Sequence, residues 1–169
     1  DKGHQRDFGQ TMANGGLGAA VAVLHTAFPS PIWFPAFIGI MATVNADTWA
    51  TELGTLAKRP PRLITTFKIV EPGTSGGVSP LGTAVSLCGG LIIGLTAGIG
   101  SSTIPIWTAT LLGGISGLSG SLFDSMLGAT VQAIYYSEHY QKETEQKIDQ
   151  AGNPTQHIRG WRWLTNDMV

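Results

Sequence analysis

The chain has 169 residues, of which 10 are basic and 11 acidic, so the net charge is −1 at pH 7 and the charged fraction 12%, against about 25% in an ordinary soluble domain. That balance excludes a broad basic field for nucleic acid, and a single cysteine, Cys88, excludes a disulfide framework and a cysteine-based zinc site. The few charges are also segregated: no Asp, Glu, Lys or Arg occurs within 8–46, 72–123 or 125–137, whereas a water-soluble globule intersperses charge along its amphipathic elements.

The polar opening Asp1-Lys2-Gly3-His4-Gln5-Arg6-Asp7 is no signal peptide. A helix that crosses a bilayer needs about 20 mostly apolar residues, and four stretches answer in turn: 12–28, 32–53, 79–100 and 104–133. Pro29-Ser30-Pro31 separates the first two and Gly100-Ser101-Ser102-Thr103 the last two, both short and uncharged. The other connections, 54–78 and 134–163, hold most of the charge. The fold expected is an all-α polytopic transmembrane helix bundle, one integral membrane domain over 1–169, with the start of a fifth helix near Asp167. The chain reads as a fragment of a larger bundle.

Short turns on one side bring the amino end, 54–78 and 134–163 to the other. That side then carries Lys2, Arg6, Lys58, Arg59, Arg62, Lys68, Lys142, Lys147, Arg159 and Arg162, which is every basic residue, and the positive-inside rule makes it cytoplasmic. Within 79–100, Gly82, Ser86, Gly90, Gly94 and Gly98 recur every four residues. Gly113 and Gly117, then Ser116 and Gly120, repeat the device in the fourth span. In a membrane such small residues let helices approach closely, so these are packing seams. The run 138–149, alternating Glu, Lys and Gln, reads as an exposed helix or loop.

Polar chemistry gathers at a few positions whose neighbours are apolar: Asn14, Asp47 with Glu52, Asp124 and Asp167. An ionised group at membrane depth costs a few kcal/mol or more and normally faces a polar cavity or a partner, which makes it a functional candidate. The segment after span two adds the opposite charge in Lys58-Arg59-Pro60-Pro61-Arg62 and Lys68, then Pro72-Gly73-Thr74-Ser75-Gly76-Gly77-Val78-Ser79 just before a helix. Alone, the basic run is equally a topology signal touching lipid head groups, and the glycine stretch either a flexible turn or an anion cradle at a helix start. It is not a Walker A loop, having no Gly-Lys-Ser/Thr. Together, carboxylates for Mg²⁺, cations and loop amides for phosphate suit phosphoryl or nucleotidyl transfer.

At these same residues the chain resembles the membrane prenyl-phosphate kinases. The resembling motifs are Asn45-Ala46-Asp47-Thr48-Trp49-Ala50-Thr51-Glu52-Leu53-Gly54, Arg62-Leu63-Ile64-Thr65-Thr66, the stretch Pro72 to Ser79, and Gly120-Ser121-Leu122-Phe123-Asp124-Ser125. Asn14-Gly15-Gly16 and Thr165-Asn166-Asp167 also match. A looser likeness, Asp47-x-x-Ala50-x-x-x-Gly54 with a following Lys and glycine-rich loop, is shared with dolichol kinases and phosphatidate cytidylyltransferases. The resemblance implies a CTP-dependent enzyme that converts a prenyl monophosphate, phytyl or geranylgeranyl, to its diphosphate, working in a bacterial or cyanobacterial inner or thylakoid membrane or a chloroplast envelope.

Under that expectation Asp47, Glu52 and Asp124 are catalytic and bind Mg²⁺, with Asp167 a further metal ligand. Lys58, Arg59, Arg62 and Lys68 neutralise phosphates, Thr74, Ser75, Gly76 and Gly77 wrap them, and Asn14 supports the nucleotide site. Asp47 and Glu52 stand about 140° apart round a helix and so need not share one metal. Two rivals differ in chemistry: a transporter or channel with buried carboxylates, and a CTP:lipid-phosphate cytidylyltransferase.

Overall fold

The computed structural model describes residues 8–164. Four helices are formed, α1 (Phe8–Ala27), α2 (Trp33–Gly54), α3 (Pro80–Ile99) and α4 (Ile106–Thr130), close to the four stretches of low charge. Local signals set their ends. Trp33 Nε1 donates to Phe28 O at 2.7 Å, closing the α1–α2 turn, and Pro35 lies in the first turn of α2, where its missing N–H leaves no helical bond unmade. Ser79 caps α3, its Oγ accepting from the Gly82 N–H at 3.0 Å with Pro80 as the first helical residue. Ser101 Oγ accepts from the N–H groups of Thr103 and Ile104 before α4 begins.

The described chain forms two compact units, residues up to Arg59 with Ser79–Phe123, and Pro60–Val78 with the residues from Asp124. In the first unit α2 packs on α1 and on α3. The α3 stripe is buried as its spacing predicts, at Gly82, Ser86, Gly90, Gly94 and Gly98, and it faces the backbone of α4. A Cβ on Gly90 would lie 2.5 Å from Gly113 O, one on Gly94 would strike Ala109 O, and one on Gly117 would lie 2.8 Å from Gly90 Cα. The interior of this unit is thus mostly small, with Ala42, Ala46 and Ala109 buried beside the larger Ile38 and Val21. Leu17, Val23, Ile92, Ile99, Leu111 and Ile115 point outward. Small residues inside and large apolar ones outside is what lipid, not water, accepts.

By length and apolarity together, α3 and α4 are the helices among the described residues fit to cross a bilayer. In α1 and α2 polar residues, Asn14 in one and Asn45, Asp47 and Glu52 in the other, dilute the apolar run.

The second unit corrects the all-α expectation. Residues 134–163 hold a three-stranded antiparallel sheet in the order β4-β3-β5, from β3 (Ile134–Ser137), β4 (Lys142–Thr144) and β5 (Gln156–Arg159). The run 138–149, expected as an exposed helix or loop, contributes a turn, with Gln141 at φ 50°, and then β4. The reason is the pairing: Ile134, Tyr135 and Ser137 are buried, and β4 satisfies one edge of that central strand's backbone by pairing Tyr135 with Thr144. A second ladder joins β1 (Arg62–Leu63) to β2 (Gly77–Val78). The fourth helix also stops at Thr130, short of the expected 133. Its end is capped by Arg159, whose Nη1 donates to Ala129 O at 2.8 Å, and by the Trp161 N–H on Val131 O.

Candidate functional site

Asp47 lies in the last third of α2, half-buried. Ser121 is 4% exposed and its hydroxyl faces Asp47 Oδ1 at 3.4 Å, longer than a strong O–H···O bond of about 2.8 Å. The polar groups around it tie α2 to its neighbours: Asn45 Nδ2 donates to Gly89 O at 3.0 Å and Thr43 Oγ1 to Ser116 O at 3.1 Å. Glycine makes these approaches feasible, since a Cβ on Gly89 would lie 3.2 Å from Asn45 Nδ2 and one on Gly120 would strike Thr43. Thr48 Oγ1 is satisfied within its own helix by Val44 O. Glu52, one turn and a half further on, is exposed, as are Asn14 on α1 and Lys58 and Arg59 beyond α2.

In the second unit Asp124 is half-buried on α4, and Arg62 and Lys68 are exposed. Arg62 Nη1 donates to Phe67 O at 2.9 Å, closing the loop after β1. The glycine-rich stretch is a built turn: Thr74 N–H donates to Glu71 O and Gly77 N–H to Thr74 O. Gly76, at φ 79°, lies so close to α4 that a Cβ there would be 2.5 Å from Ala129 Cβ. Ser75 Oγ donates to Oε1 of the buried Gln132 at 2.7 Å. So part of the hydrogen-bonding capacity read as an anion cradle is spent inside the protein, and Ser79 serves as the α3 cap. Asp167, expected as a metal ligand, lies outside the described residues.

Ser121 and Asn45 were not singled out from sequence, though both lie in motifs that were. The available signal was spacing: Ser121 precedes Asp124 by three residues, which puts both on one helical face.

Among the described residues no three His, Cys, Asp or Glu side chains are grouped to hold a metal. Mg²⁺ does not require such a cage: it takes one or two carboxylates, keeps waters, and relies on substrate phosphates. Asp47, a hard oxygen donor half-buried beside a hydroxyl, fits that pattern.

A perturbed acid outside the helices is Asp149. Burial, the largest influence, raises its pKa, but the N–H groups of Asn153 and Ala151 and the Ser137 hydroxyl outweigh it and hold the carboxyl below the ordinary value of 3.8. Its partners are all within the hairpin 137–153, so it is structural.

A family described as "Integral membrane protein DUF92" matches residues 1–169. "Protein PGR" of Arabidopsis thaliana is 34% identical, over 78% of this chain and 54% of the relative. An uncharacterized membrane protein of Methanocaldococcus jannaschii is 35% identical over 79% of this chain and 56% of its own. One of Synechocystis is 29% identical over 90% and 50%. The chain therefore spans about half the length of the curated relatives it matches. No solved structure matches it.

Proposed function

Because the chain belongs to this integral membrane family, we propose that it forms part of a kinase that transfers the γ-phosphoryl group of CTP to a prenyl monophosphate, phytyl or geranylgeranyl phosphate. In this reading all four helices cross the bilayer and the cationic loops face the cytoplasm or stroma. An oxygen of the prenyl phosphate attacks the γ-phosphorus, the bond from that phosphorus to the β,γ-bridging oxygen breaks, and CDP leaves. The acceptor is already anionic near neutral pH, so alignment and charge neutralisation carry the reaction in place of a strong base.

The observation that carries the reading is Asp47: a carboxylate kept half-buried in a helix core of small residues, with a buried serine hydroxyl aimed at it. An acid held there among small apolar residues is a functional-site candidate. Asp47, Glu52 and Asp124 are assigned to Mg²⁺, with Asp167 supporting; Mg²⁺ supplies neutralisation of the phosphate oxygens when bound. Lys58, Arg59, Arg62 and Lys68 are assigned to phosphate, and Asn14 to the nucleotide. The turn 74–77 has a reduced part, since its Gly77 N–H is already used. The looser likeness of the Asp47 motif to dolichol kinases and phosphatidate cytidylyltransferases supports CTP as donor.

Labelled CTP with a prenyl monophosphate tests this directly in membranes holding the full-length protein. Release of CDP and formation of the prenyl diphosphate is the expected result. Release of pyrophosphate would make it a cytidylyltransferase, and solute flux without any nucleotide turnover would make it a transporter.

A further inference from the structure

We propose that residues 61–70 form a lipid-dipping wedge whose tip, Phe67-Lys68-Ile69, enters the anionic head-group layer of the protein's own bilayer. The loop is firmly built. Leu63 N–H donates to Lys68 O at 2.9 Å, Phe67 N–H to Leu63 O at 2.8 Å, and Val70 N–H to Pro61 O at 3.0 Å. The Arg62 guanidinium fastens the tip through Phe67 O. These bonds hold Phe67 at φ 56°, a region that a bulky residue occupies only under constraint. What the constraint achieves is exposure: Phe67 is 68% and Ile69 62% exposed, two large apolar side chains displayed either side of a lysine.

Water gives no return for that display, whereas a bilayer boundary does, since apolar tips and cations both gain there. The wedge is tied by a short link to a helix fit to cross a membrane: its base residue Arg62 pairs with Val78, and only Ser79 separates Val78 from the first residue of α3 in the chain. Charge agrees, because Glu71 is the one acid from 53 to 123 while Lys58, Arg59, Arg62 and Lys68 precede or flank it, a balance suited to anionic lipid. Arg62 and Lys68 are shared with the proposed phosphate site, whereas Phe67 and Ile69 have no part in the proposed phosphoryl transfer, so depth measured at these two positions tests the wedge separately from it.

The test is a depth measurement on the full-length protein in nanodiscs of phosphatidylcholine and phosphatidylglycerol. An NBD label is attached at Phe67→Cys or, independently, at Ile69→Cys, each in a background with Cys88→Ser and any cysteine elsewhere in the full-length protein replaced by Ser. We expect quenching by shallow doxyl lipid and shielding from aqueous iodide at both positions. Iodide quenching without doxyl quenching would put the tip in water and overturn the proposal. Shielding from both would mean that protein covers the tip, which overturns it equally. Replacing phosphatidylglycerol by neutral lipid should weaken the doxyl quenching; unchanged quenching would refute the role given to the cations.

Discussion

Asp47 and Glu52 occupy the same helix five residues apart, yet one is half-buried against Ser121 and the other exposed. That difference argues for unequal roles and yields the first prediction. If the proposed phosphoryl transfer holds, Asp47→Asn should lower it by on the order of 10²–10³-fold while the detergent melting curve stays near that of the parent, because amide and carboxylate fill the same volume. Ser121→Ala should cost roughly 10- to 100-fold, as loss of an orienting hydroxyl does, with Ser121→Thr restoring part of it. Near-normal turnover of Asp47→Asn would remove the metal assignment. Asp47 was legible in sequence because a charge within an apolar stretch is conspicuous. Ser121 was not, because a serine in a small-residue stripe looks like packing until the helix opposite is known.

Elements make separate predictions for helices and sheet. The α3–α4 seam has no room for a side chain, so Gly94→Leu should destabilise the first unit by about 1–3 kcal/mol or more, read as a lower melting temperature or loss of monodisperse protein in detergent. Gly76→Ala meets both a positive φ and Ala129, and should cost about 1–3 kcal/mol from the backbone alone. Greater protease sensitivity of 61–78 would report it. In the sheet, Asp149 has its pKa lowered on folding. The stabilisation is therefore complete above the ordinary value of 3.8 and is lost as the pH falls below it, through the folded value. Amide exchange at Ala151 and Asn153 should accelerate across that window, and Asp149→Asn should abolish the dependence. The glycine stripe announced its own packing through its period of four. The strands did not, because β4 is polar along its length and has no alternation to read; only pairing with β3 makes it a strand.

For the molecule as a whole, the many large apolar residues exposed along its helices agree with an integral membrane family. It should remain with membranes through an alkaline carbonate wash, and appearance in the wash supernatant would contradict that. Charge segregation and helix-length apolar runs determined the membrane class, four helices and their approximate limits, since each is decided by the free energy of a residue in lipid against water and by caps a few residues away. The separate second unit, the sheet in 134–159, the turn that spends the Gly77 amide, and the hydroxyl facing Asp47 were decided only in three dimensions. The Ser121–Asp47 contact and the pairing of β3 with β5 join residues far apart in the chain, whose meeting no local pattern encodes; the 74–77 turn and the β3–β4 hairpin are local, but their polar residues carry no alternation that announces them.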